Sequence, residues 1–169
     1  MVPTLFFFGT LRDEAVLNIV LGSGFEHTHM QPGQLLGHRT ELVQDEDFPM
    51  LVPDETSTVE GVVVSRLTES DLERINYFED IDYVLEPFGI RCGSVVETAH
   101  LYVATEEIQP SGTPWHYEQW SEADRVYMRF LAEEHMALFG TVPAEKVDDF
   151  WPQTKKNADR RFAALKKSA

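Results

Sequence analysis

Leu5-Phe6-Phe7-Phe8 is a short run of apolar and aromatic residues that stops at Gly9. A run of that length closed by a turn residue predicts a buried strand rather than a helix. Ala15, Val16, Ile19 and Val20 then recur at helical spacing. Thr10 and Asp13 stand before them in the manner of a capping box, and Gly22 fits the stop. The chain is expected to open as strand, glycine turn and helix.

Gln31 to Val43 reads as a loop, a strand around Leu35-Leu36 and another near Glu41–Val43. Phe48 to Val52 reads as a short strand ended by Pro53-Asp54. Val59 to Leu67, with Val62-Val63-Val64 inside it, reads as a strong strand. Ser70-x-x-Glu73 is a second capping box, and Leu72, Ile75 and Phe78 form a helical apolar stripe after it. Glu79 lies seven positions after Leu72 and four after Ile75, so the period sets its carboxylate at the edge of the buried face. Tyr83–Arg91 and Val95–Ala104 form a predicted hairpin turning at Gly93.

Pro110–Pro114 reads as a loop. A long helix follows, with Trp120, Ala123, Tyr127, Phe130, Leu131 and Leu138 on its apolar face and Gly140 at its end. Pro143 and Pro152 divide the remainder into two short helical pieces. Strands fill the middle of the chain and helices lie between and after them. The fold class expected is α+β with a mixed or mostly antiparallel sheet.

The 169 residues suit one domain, and 43% hydrophobic with 25% charged residues is ordinary globular composition. The balance of 14 basic against 29 acidic residues opposes binding to nucleic acid or an anionic membrane. Residues 1–140 hold 7 basic and 25 acidic residues, and residues 141–169 hold 7 and 4. The basic tail is either a solvated helix or a segment lying on the acidic body. Cys92 is the single cysteine, which excludes an internal disulfide and a cysteine-built zinc site. The apolar run near the N-terminus is too short for a signal peptide or a membrane span, so a soluble, cytoplasmic protein is expected.

Two features carry candidate chemistry. Phe8-Gly9-Thr10-Leu11 is a glycine turn leading into a helix start, whose free N–H groups can hold a carboxylate or a developing oxyanion. The same four residues also fit a plain strand-to-helix turn. Glu79 is costly if ionised without a partner, and burial would raise its pKa toward the range useful for proton transfer. It also fits a solvated helix end beside Asp80 and Asp82. His27 and His29 lack a third ligand at metal-site spacing, and no nucleophile elbow, Walker loop or dinucleotide fingerprint occurs.

Leu5-Phe6-Phe7-Phe8-Gly9-Thr10-Leu11-Arg12 resembles the N-terminal signature of the gamma-glutamylcyclotransferase-like family. Gly61-Val62-Val63-Val64, then Leu72-x-x-Ile75-x-x-Phe78-Glu79, then Tyr83 is similar to its second signature. Phe48-Pro49-Met50-Leu51-Val52-Pro53 looks like the loop before that strand, and Trp115-x-x-Glu118-x-Trp120 looks like the aromatic opening of the C-terminal helix in the bacterial branch. Two positions depart from the family pattern: Phe8 replaces a tyrosine, and Leu85 replaces a basic residue often found there.

The resemblance implies a small mixed β-barrel with flanking helices over residues 1–140, followed by a short basic helical extension, 141–169. It implies cyclisation of a γ-glutamyl amide to 5-oxoproline with release of an amine, with no cofactor and no metal. Glu79 would be the catalytic acid and base. Phe8, Gly9, Thr10, Leu11 and Tyr83 would bind the small-molecule substrate, with Tyr102 a weaker candidate. The same domain without turnover, as a ligand-binding or regulatory module, is the alternative. Loops 23–34, 44–58 and 105–116 are expected to select the amine. A monomer and a homodimer both fit the composition.

Overall fold

The computed structural model describes residues 1–22 and 24–168. Ser23, in the expected loop 23–34, and Ala169, in the expected extension, lie outside the described residues. The strands are β1 (Leu5–Phe7), β2 (His29–Val43), β3 (Pro49–Ser65), β4 (Tyr83–Cys92), β5 (Val95–Ala104) and β6 (Pro110–Pro114). The helices are α1 (Glu14–Leu21), α2 (Glu69–Glu79), α3 (Glu122–Met136) and α4 (Trp151–Ser168).

Strands pair in the order β3-β1-β5-β4-β2, and β2 pairs β3 as well, which closes five strands into a mixed barrel. The β1–β5 pair is parallel and the other pairs are antiparallel. β6 adds to the outer edge of β2. No helix of the described residues is long and apolar enough to cross a membrane.

β1 lies at the centre of this arrangement and uses the alternation of a strand to serve two cores. Phe6 points into the barrel with Leu35, Val59, Val63, Ile90, Ala99 and Leu101. Leu5 and Phe7 point outward into a second cluster with α1, α2 and α3, which includes Val16, Leu17, Ile75 and Ala132. Ile75 is fully buried, whereas Leu72 is only half-buried. Ile75→Ala is expected to cost about 2–5 kcal/mol and Leu72→Ala clearly less. Urea unfolding of the two variants checks the order.

Several local expectations shift. The first helix is capped by Asp13, whose Oδ1 accepts from the N–H groups of Ala15 and Val16 at 3.0 Å, and not by Thr10. Residues Thr10–Arg12 form a 3-10 turn instead. Carboxylates and hydroxyls both cap well, and the helix begins where packing starts. For the same reason α2 starts two residues early, with Thr68 and Asp71 forming the box rather than Ser70 and Glu73.

The pieces read at 31–43 are one strand, with Gly37 (φ 76°) at a register shift where β3 carries the extra residues as a bulge between Pro53 and Thr58, and β3 runs on through Pro53 and Asp54. These two long strands must coil to close the barrel, and a bulge lets them bend without ending. Pro110–Pro114 is a strand, not a loop. Ala123 is exposed; the buried residues of α3 are Leu131, Ala132, His135 and Met136. The tail is a 3-10 segment, Ala144–Phe150, and one long helix rather than two short pieces, because Pro152 sits in the first turn where its missing N–H is not needed.

That helix packs on α3. Arg161 pairs with Glu133 and Glu134, and Lys155 lies 3.5 Å from Glu46. Val147, Thr154 and Ala158 are buried beneath these pairs. Part of the basic charge of the tail therefore lies against the acidic body of the same chain.

Candidate active site

α2 brings Glu79 to its last residue, against the end of the barrel. Two side-chain bonds hold that helix end. The Tyr102 hydroxyl donates to Asn76 Oδ1 at 2.5 Å, which ties α2 to β5. His135 of α3 approaches the Tyr77 carbonyl through Nε2 at 3.2 Å, so its proton sits on Nε2 and satisfies one of the open carbonyls of the last turn. Asp80 then leaves the helix at φ 72°, a left-handed conformation for a residue with a side chain, and redirects the chain into β4.

The glycine turn is fixed from the opposite side. Arg12 pairs with Glu118 at 3.1 Å, and the guanidinium groups of Arg12 and Arg125 each lie 4.2 Å from the Tyr117 ring. The aromatic segment before α3 thus clamps the turn that follows β1. Within the turn, the Gly9 and Thr10 carbonyls accept from Arg12 and Asp13. The N–H groups of Thr10 and Leu11 lie ahead of these bonds, as the first donors of a helical turn do. A side chain at Gly9 would put its Cβ 3.0 Å from Pro49 Cγ, so a bare backbone fits there best.

A cavity of about 580 Å³ opens between these two pieces. Phe8, Gly9, Thr10, Leu11, Glu79 and Tyr83, all six site residues expected from the sequence, line it, and so does Tyr102. Burial pushes the Glu79 carboxyl from its ordinary value up to about 7. The residue keeps some accessible surface, and it is one of the cavity's lining residues. The Tyr83 hydroxyl is buried with no hydrogen-bond partner among the described residues. Burial, and then the charge of Glu79, push the Tyr83 and Tyr102 phenols well above their usual range, so both stay neutral hydroxyls.

Other walls were not expected. Met128, Leu131 and His135 of α3, Asp148 and Trp151 also line the cavity. Their approach depends on how α3 and α4 dock, and no local spacing signals it. Burial lowers the His135 pKa, which keeps the ring neutral. Asp80 is raised to about 6, chiefly by burial and then by a hydrogen bond to Asp148. Of the three loops expected to shape the site, 44–58 and 105–116 contribute, through residues 44–46, 48, 49 and 107–109. None of the described residues 24–34 reaches it, because 29–34 are already committed to β2.

A family described as gamma-glutamyl cyclotransferase, AIG2-like, matches residues 5–122. The chain belongs to this family. The match contains the barrel, the glycine turn and Glu79, and stops at the start of α3. Two curated relatives come from Arabidopsis thaliana. AIG2-like protein C is 24% identical over 124 residues, covering 72% of this chain and 70% of its own. Protein AIG2 A is 22% identical over 132 residues, covering 76% and 74%.

Among solved structures, a solution structure of an Arabidopsis thaliana protein has a TM-score of 0.58 at 23% identity, covering 70% of this chain and 79% of that one. A protein named gamma-glutamyl cyclotransferase has a TM-score of 0.54 at 12% identity, covering 89% and 98%. At such identities these likenesses speak for the family fold: a closed five-stranded mixed barrel with flanking helices.

Proposed function

We propose that the protein is a γ-glutamyl cyclotransferase, which converts a γ-glutamyl amide to 5-oxoproline and a free amine. The observation that carries this reading is the Glu79 carboxyl, brought to a pKa of about 7 in the cavity that the Gly9–Leu11 turn also lines. A group poised near neutral pH can both take and return a proton.

In this reading, Glu79 as a carboxylate takes a proton from the α-ammonium of the substrate. The freed α-amine attacks the γ-carbonyl carbon and closes a five-membered ring. The carbonyl oxygen becomes an oxyanion in the tetrahedral intermediate. Protonated Glu79 then gives its proton to the amide nitrogen, the carbon–nitrogen bond breaks and the amine leaves. The Glu79 carboxylate so regenerated takes the second proton from the ring nitrogen, which leaves neutral 5-oxoproline, and passes that proton on to the departing amine or to solvent. Because nucleophile and electrophile belong to one molecule, holding the substrate folded removes much of the entropic barrier. The N–H groups of the Gly9–Leu11 turn are suited to the α-carboxylate or the oxyanion. Asp13 caps α1, which leaves the Thr10 hydroxyl free to join them. Tyr83 offers a buried hydroxyl donor with no competing partner among the described residues. Phe8 serves this scheme as an apolar wall.

The pH dependence follows from the raised carboxyl. The base form of Glu79 is needed first, so kcat/KM is expected to rise through an acid limb with a midpoint near 7. Steady-state rates between pH 5 and 9 check this; a limb near 4.5 would show an ordinary exposed carboxylate.

Phe8 favours a second reading, a binding domain without turnover, since a hydroxyl that the resemblance places at that position is missing. 5-Oxoproline release from a panel of γ-glutamyl amides decides between them. Release supports the cyclotransferase. A rise in melting temperature with 5-oxoproline, without release from any amide, supports the binding domain.

A further inference from the structure

Helix α2 ends in a run of acidic residues. Glu79 is its last residue, Asp80 and Asp82 follow, and no basic residue stands in its last turn. The C-terminal end of a helix is the negative end of its dipole, and Lys, Arg or His there usually offsets it. Among the described residues, no lysine or arginine lines the cavity at this end. The donor that meets it comes from α3. Of the last-turn carbonyls, that of Asn76 accepts from the Asp80 N–H at 3.2 Å, and that of Tyr77 accepts from His135 Nε2 at 3.2 Å. The His135 ring is buried and packs against Tyr77, Phe78 and Trp151, with ring centres 5.3, 5.9 and 6.0 Å away. Tyr77 and Phe78 stand immediately before Glu79, so one side chain grips the turn that carries the carboxyl.

The other titratable groups at this end are acids. The Tyr83 and Tyr102 phenols of β4 and β5 feel the charge of Glu79, and Asp45, Glu46, Asp82 and Glu107 line the cavity. Asp80 and Asp148 share a hydrogen bond, and the charge of Asp148 reaches His135. None of these groups brings a positive charge. A full cation at the place of His135 would lose its hydration, whereas a neutral imidazole supplies an N–H without that cost.

We propose that His135 is a positioning residue for Glu79: its Nε2–H, bound to the Tyr77 carbonyl, offsets the negative end of α2 and fixes the last turn, so that the carboxylate form of Glu79 is tolerated in the cavity. The role in catalysis rests on the cyclotransferase reading, in which Glu79 is the acid and base. His135 lies beyond residue 122, outside the family match, whereas Glu79 lies within it. The C-terminal segment thus adjusts the proton affinity of a group carried by the family domain.

The test reads the Glu79 carboxyl itself. Its carbon-13 NMR titration, assigned by loss of the signal in Glu79→Gln, is followed without substrate in wild type, His135→Leu and His135→Gln. Leucine removes the donor at similar volume, and glutamine returns an N–H near the position of Nε2. His135→Leu is expected to raise the midpoint by about half a pH unit or more, a threefold or greater gain in proton affinity. The acid limb of kcat/KM for 5-oxoproline release should move up with it. His135→Gln is expected to restore the wild-type midpoint. An unchanged midpoint in His135→Leu, or an equal rise in both variants, would overturn the proposal. A fall toward 4.5 would overturn it too, since it would mean that the ring acts by packing and keeps water out. If His135→Leu does not fold, nitrogen-15 NMR of the wild-type ring at neutral pH decides with the glutamine variant: a neutral ring protonated at Nε2 is expected, and a proton on Nδ1 would overturn the proposal. Release of 5-oxoproline from no γ-glutamyl amide would count against the cyclotransferase reading alone, because the titration needs no turnover.

Discussion

Replacing Glu79 by glutamine is expected to leave the fold intact, lower the rate of 5-oxoproline release at least ~10²-fold, and raise stability above neutral pH. The rate falls because an amide of the same shape cannot accept the proton of the α-ammonium. Stability rises for a separate reason. The folded-state pKa of Glu79, about 7, lies above its value of 4.5 in an open chain. Between these values the native protein holds a proton that the unfolded chain has lost, so this group erodes stability as pH rises through that window. Above pH 7 the whole loss is present, up to about 3 kcal/mol for a shift of this size. Glutamine removes it. Urea unfolding at pH 5 and pH 8, beside rates, measures both effects. A variant as active as wild type would remove Glu79 from the mechanism. An inactive variant less stable at pH 8 would show a structural role instead.

The largest loss of stability is expected from Gly61→Ala. A Cβ at that position would stand 2.4 Å from the Phe7 carbonyl oxygen and 2.5 Å from Phe6 Cζ. The first contact is backbone of β1, which is fixed between β3 and β5 in a closed barrel and cannot yield alone. A cost of about 4 kcal/mol or more follows, at the high end for a single substitution. Gly33, paired with Gly61 across β2 and β3, gives the contrast. Its added Cβ would meet the ends of Ile90 and Val63 at 2.7 and 2.9 Å. Side chains can adjust, so Gly33→Ala should cost about 1–3 kcal/mol. Together the two glycines leave room for the Phe6 ring inside the barrel. Denaturant midpoints of both variants test the ranking; equal costs would mean that β1 yields as easily as a side chain.

Local pattern was enough for some elements and misleading for others. The β4–β5 hairpin at Gly93 and the stop of α1 at Gly22 match, since a left-handed glycine and flanking alternation are properties of a few adjacent residues. The helix caps missed by two or three positions, because several neighbouring residues could each cap and only tertiary packing chooses among them. β2 and β3 looked broken at Gly37 and Pro53 because a bulge and a proline are stop signals in a flat strand. In a strongly coiled barrel the same residues are tolerated.

The sequence by itself determined the order strand, glycine turn and helix, the two signatures, and the place of Glu79 at the edge of an apolar face. These depend on periods of two and 3.6 residues, which neighbouring positions carry. Tertiary structure alone decided that Gly9 and Glu79, 70 residues apart, line one cavity, that α2 is held there by Tyr102 and His135, and that α3, Asp148 and Trp151 form a third wall. The proton affinity of Glu79 belongs to this second group. It is set by the protein mass that barrel closure and helix docking place behind the carboxylate, and desolvation of that kind has no signature in the residues beside it.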